Sequence, residues 1–176
     1  MKQLLLLAGC VTILSVSAGC HNASGHFPKV MVGVWDTEPN KRAKWAIKFE
    51  TDGSIKRLVH PMAGPVTIPP GEVYLEGPDP DTHAIFIMGP CEAKYHRKTN
   101  ELEVKIVLDY YEMRLPGGIL RGRMEDYLRG PISKDGKSWE VDWVNYGWLE
   151  GATPPDPNAI EANPEKLVFT KIDIEH

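Results

Sequence analysis

The sequence predicts an all-β domain: a single antiparallel up-and-down barrel of about 8–10 strands, with a β-sandwich as the alternative. Three observations carry this. Apolar and polar residues alternate with a period of two, as in Trp45-Ala46-Ile47-Lys48-Phe49, which marks a half-buried strand rather than a helix. Reversal signals built on Gly, Pro, Asn and Asp separate the alternating stretches, drawing on 16 Gly and 15 Pro. Finally, the last apolar run, at 167–172, needs a partner, and the first strand is the natural one.

The elements follow in order. A first strand is expected near 30–35, then a charged loop and a hairpin in which Trp45, Ile47 and Phe49 face one way and Asp52-Gly53 reverses the chain. Residues 61–71 carry Pro61, Pro65, Pro69 and Pro70, which exclude a helix and a central strand. A short strand at 72–76 and a second apolar run at 83–88, closed by Gly89-Pro90, lead into the central meander. There, a turn at Lys98-Thr99 sets His96 against Glu101, Lys94 against Glu103 and Glu92 against Lys105 on one face. It sets Tyr95 against Leu102, Ala93 against Val104 and Cys91 against Ile106 on the other. Matched charges outside and matched apolar pairs inside are each worth about 0.2–1 kcal/mol, and a one-residue slip loses both sets.

Pro116-Gly117-Gly118 reverses the chain again. A five-residue loop here opposes Asp109 to Arg123 and Glu103 to Arg129, which charge favours over a shorter loop. A turn at 134–137 then matches Ile132 with Trp139, Leu128 with Trp143 and Asp126 with Asn145. The Pro-rich stretch 151–164 reads as a long loop with one helical turn near 158–162.

Residues 1–19 have the layout of an export signal: Lys2, an apolar core at 4–16, then Ser17-Ala18-Gly19 before Cys20. The apolar run falls short of the roughly 18 residues that a spanning helix needs. Small residues directly before a Cys resemble the lipobox of bacterial lipoproteins, which implies that Cys20 becomes the acylated first residue. Leu7-Ala8-Gly9-Cys10 matches that motif better by letter, but it leaves an apolar core of only about four residues, too short for export. The expected organisation is therefore a lipoprotein signal at 1–19, a flexible tether at 20–29 and the barrel at 30–176. In the enteric lipoproteins that this signal resembles, an Asp after the Cys retains the protein in the inner membrane, so by that analogy His21 implies the periplasmic side of the outer membrane. Removing the signal removes Lys2 and no acid, so 19 Lys+Arg remain against 24 Asp+Glu. That mildly acidic balance argues against nucleic acid as a partner. Cys91 falls in the apolar phase of its strand and reads as a small buried hydrophobe.

Gly33-Val34-Trp35 on the first strand resembles the Gly-x-Trp signature of lipocalins and related calycin barrels. The resemblance implies that Trp35 closes one end of the barrel, with an Arg from a late strand packed over it, Arg129 or Arg121. The second lipocalin signature, Thr-Asp-Tyr, is absent.

No catalytic motif is present: no Gly-x-Ser-x-Gly, no His-Glu-x-x-His, no P-loop and no Cys-x-x-Cys. The His residues lack metal-ligand spacing, and His60, before Pro61, reads as surface. The chain is accordingly expected to be non-enzymatic, without metal or cofactor. One constellation stands out on the phase read as inward. Tyr110, Glu112, Arg114, Met124, Asp126 and Asn145 gather at one end as a candidate polar mouth over an apolar interior that includes Trp143. Tyr110, Glu112, Met124, Asp126, Trp143 and Asn145 are the candidate site for a small apolar or amphipathic ligand. Two alternatives stand beside it: a filled barrel whose outer face or rim binds another envelope protein, and acid–base chemistry at Glu112 and Asp126, which needs their pKa values split. Tyr146 and Trp148, in the other phase, are a candidate aromatic patch.

Overall fold

The structure is a computed structural model that describes residues 27–37, 44–156 and 163–172. Its ten strands are β1 (Gly33–Thr37), β2 (Ala46–Phe49), β3 (Ile55–His60), β4 (Gly64–Thr67), β5 (Glu72–Glu76), β6 (His83–His96), β7 (Glu101–Leu115), β8 (Gly118–Pro131), β9 (Ser138–Leu149) and β10 (Glu165–Ile172). They form one antiparallel sheet in the order β4-β3-β2-β1-β10-β9-β8-β7-β6-β5, nearly closed into a barrel. Every ladder joins sequence neighbours except β1–β10, which unites the two ends as expected. The seam lies between β4 and β5, where Pro65, Pro69 and Pro70 cannot donate to a ladder.

One end is closed by side chains. Trp35, Phe49, Trp139 and Phe169 are fully buried there, with Trp139 on Phe169 and on Phe49 at centroid distances of 4.9 and 6.2 Å. A single 3-10 turn, Lys29–Met31, lies beneath them. Its Met31 carbonyl accepts the indole N–H of Trp35 at 2.8 Å. Phe27 packs on Phe49, so the packed core reaches into the stretch expected as tether. The cation over Trp35 is neither Arg129 nor Arg121. Lys171, paired with Trp35 in the β1–β10 ladder, holds its Nζ 5.9 Å from the ring and donates to the Val30 carbonyl at 2.8 Å. Arg129 and Arg121 are engaged outside, on Glu101 and Glu112.

The meander registers match the expectation pair for pair: Cys91↔Ile106 to His96↔Glu101, Glu103↔Arg129, Leu128↔Trp143 and Asp126↔Asn145. Cys91 is fully buried, as expected. Two irregularities were not legible. Gly89-Pro90 does not end a strand; it is an irregularity inside a continuous β6. In β7, a bulge lies between Leu108 and Tyr111. Below it the ladder has the register of the five-residue loop. Above it the ladder is one residue out of step, so the turn shrinks to Pro116-Gly117, with Leu115 opposite Gly118. The bulge still leaves Asp109 bonded to Arg123. The helical turn read near 158–162 lies outside the described residues, as does Cys20.

Candidate functional site

The four long strands β6–β9 outrun the rest. Among the described residues, β10 pairs with β9 only as far as Trp143. Beyond that level, among the described residues, no strand continues the sheet past β9, and β5–β9 form an open half-barrel. Register places Met88, Leu108, Met124 and Gly147 in one inner row, and Phe86, Tyr111, Gly122 and Leu149 in the next. Ala84, Met113 and Leu120 form the row above. Met62, Val73, Ala84, Met113, Leu120 and Met124 pack on the core yet remain half-buried, and Leu149 is 49% exposed. This inner wall is apolar and partly open.

Its floor is polar. Asp126 has no exposed surface, although it lies between apolar residues on its strand. Its Oδ1 accepts the Trp143 indole N–H at 2.8 Å and the Asn145 amide at 2.7 Å, and its Oδ2 lies 3.0 Å from His60 Nε2. His60 Nδ1 accepts the backbone N–H groups of Met62 at 3.2 Å and Ala63 at 3.4 Å. With Nδ1 accepting, the ring proton is on Nε2 and points at Asp126. Trp45 packs edge-on against both His60 and Trp143, at 4.9 and 6.0 Å, and its own indole N–H has no partner among the described residues. Three donors on one buried carboxylate compensate its desolvation.

The six residues of the expected site therefore divide. Met124, Asp126, Trp143 and Asn145 come together on the inner side. Tyr110 and Glu112 do not: the bulge reverses the phase, so Tyr111 and Met113 take the inner places and Tyr110 and Glu112 face out. There, Glu112 accepts from Tyr110 at 2.8 Å and from Arg121 at 2.7 Å, with His83 at 3.7 Å. The Arg121 bond, helped by Tyr110, holds the Glu112 carboxyl below its usual range, and the same bond to Glu112 raises the Tyr110 phenol. The aromatic patch read at Tyr146 and Trp148 is half-buried and occupied: Tyr146 packs on Tyr127, and Arg123 lies over Trp148.

His60 is the residue that sequence reasoning misplaced. It is 2% exposed, not on the surface. A signal was available: His60 continues the phase of Leu58 and falls one step beyond the Ala46↔Val59 pair, beside Trp45. Tyr111, whose hydroxyl lies over Gly122, was missed because the bulge carries no strong sequence mark.

Comparison with protein-family models, curated proteins and solved structures gives no match to any of them.

Proposed function

We propose that the chain is a membrane-anchored envelope lipoprotein of lipocalin-like build whose barrel binds a small apolar or amphipathic ligand at its open end. The observation that carries this reading is the apolar inner wall of β5–β9, partly exposed at Ala84, Met113, Leu120 and Met124, above a polar floor in which Asp126 and His60 are buried. A concave apolar surface with a few convergent polar groups is what ligand sites are made of. Methionines at 62, 88, 113 and 124 suit a flexible guest, because the unbranched thioether adapts its shape. Trp35 at the closed end, with Lys171 over it, supports the lipocalin-like reading. The fold enters at that closed end through Phe27. A lipid on Cys20 would thus leave the open end facing away from the anchoring membrane, taken here as the outer one. Non-enzymatic action is part of the proposal. Both ring nitrogens of His60 are engaged and Asp126 is sealed, so this pair offers no free general base.

Two experiments test the proposal. Cys20→Ala should abolish acylation and move the protein to soluble fractions, and membrane retention with the signal cleaved would count against the anchor. Native mass spectrometry of that soluble protein, after exposure to an envelope lipid extract, should show a retained small molecule. If none is retained, the second reading, an interaction lipoprotein, gains. It is favoured by the aromatic filling of the closed half, where Trp35, Trp139 and Phe169 leave no exposed surface.

A further inference from the structure

We infer that the guest of the open half-barrel is a positively charged amphiphile, a long-chain amine or quaternary ammonium whose head group is held over Asp126. This deepens the ligand-binding reading and rests on it.

All three side chains within hydrogen-bond distance of Asp126 present donors: Trp143 and Asn145 on Oδ1, His60 on Oδ2. A protonated carboxyl would need an acceptor, and none of these supplies one, so the group is an anionic acceptor. His60 does not neutralise it. Two backbone N–H groups point at Nδ1, which leaves the ring one proton and no net charge. The floor therefore carries a full negative charge held by neutral donors.

The walls do nothing to cancel it. The inner rows above the floor contain only apolar residues, glycines and the Tyr111 phenol. The cations of the same strands point the other way. Arg121 and Arg123 lie on the outer face, bonded to Glu112 and Asp109. Outer-face Glu125 is likewise engaged, by Lys105. Among the described residues, Asp126, His60, Tyr111 and the buried thiol of Cys91, in the row of Asp126, are the titratable groups on the inner side of β3 and β6–β9 at and above the floor. Flanked by apolar surface, the charge of Asp126 is weakly screened within the trough.

Such a site discriminates by sign. A carboxylate or phosphate head group would enter a negative field with no cation to meet it. An ammonium would be attracted, and the half-buried indole of Trp143, fixed by its bond to Asp126, adds an aromatic surface that favours cations. The Met-rich wall then takes the alkyl chain.

The test uses the full chain carrying Cys20→Ala, so that no covalent acyl chain competes. Tryptophan fluorescence, which reports on Trp45 and Trp143 at the floor, is titrated with three guests of one chain length below micelle formation. These are dodecyltrimethylammonium, dodecanoate and the neutral monododecyl glycerol. The ammonium should bind at least about tenfold more tightly than the carboxylate, with the neutral guest between them. Gly147→Leu should abolish binding of all three. Gly147 is exposed on the inner wall, and a Cβ there meets the nearest atom, Met124 Cε, at 3.6 Å, so a larger side chain fills the trough without a backbone clash. If the neutral guest binds but the ammonium is not preferred, the charge inference is overturned while the ligand reading stands. Tighter binding of dodecanoate overturns it likewise. If no guest binds, the ligand reading falls and takes the inference with it.

Discussion

At the scale of single residues, Asp126 concentrates the most energy in the fewest atoms. Read from the strand pattern alone, Asp126→Leu in a filled barrel promises a neutral or stabilising change unless Asn145 loses its partner, since it removes a polar group from between apolar same-face neighbours. The structure reverses the sign. Leu would leave the Nε2–H of His60 and the indole N–H of Trp143 without acceptors, while exposed Asn145 can turn to water. Each stranded buried donor costs about 1–3 kcal/mol. We expect Asp126→Leu to destabilise the barrel by about 2–5 kcal/mol, measured as a lower urea midpoint at unchanged slope. A neutral result would mean that the cluster is not formed in solution.

At the scale of elements, β7 and β8 show how a fold can keep a register and still change faces. Charge pairing fixes the lower ladder, where Glu103 faces Arg129, and the two-residue turn fixes the upper one. The bulge between Leu108 and Tyr111 absorbs the one-residue difference, and it puts Glu112 outside and Met113 inside. Glycine governs a close approach of β8 to β9. A Cβ at Gly130 would lie 1.8 Å from the Glu140 carbonyl oxygen, a backbone atom of the neighbouring strand. The same Gly130 carbonyl accepts the Trp139 indole N–H at 3.1 Å. Separating the strands there disturbs the aromatic plug too. Gly130→Ala should therefore cost more than about 2 kcal/mol by thermal or urea unfolding, although an Ala in a regular strand costs nothing.

At the scale of the whole molecule, the carboxylate–arginine pairs lie on the outer face, and acid acts on them there. Glu112 and Glu101 are both held below the usual carboxylate range, first by Arg121 and Arg129 respectively. A carboxyl depressed in the folded state stabilises the fold above its unfolded value of 4.5, and that contribution fades as pH falls through the lower folded value. The contribution of these two carboxyls to stability should therefore be fully present above pH 4.5 and be lost progressively as the pH falls below it. Glu112→Gln should flatten part of that loss in urea titrations at stepped pH. A variant curve parallel to the wild type would show that the Arg121 pair is screened away by solvent.

The sequence by itself determined the ladders. Alternation of Trp45, Ile47 and Phe49, paired charges from His96 to Lys105 and turn residues at Gly53 and Pro116 are local signals. They specify strands, neighbours and register because cross-strand contacts act between residues close in sequence. From them the barrel, the pairing of first and last strands and the inner placement of four of the six expected residues could be read. Only the tertiary structure decided what meets across the interior. His60 reaches Asp126 over 66 residues of chain, and Lys171 rather than an arginine covers Trp35. Closure of the sheet makes both contacts, and no local pattern encodes it. The bulge in β7 belongs to the same class. It settles a mismatch between two registers, each locally correct, and its cost and benefit exist only once both are formed.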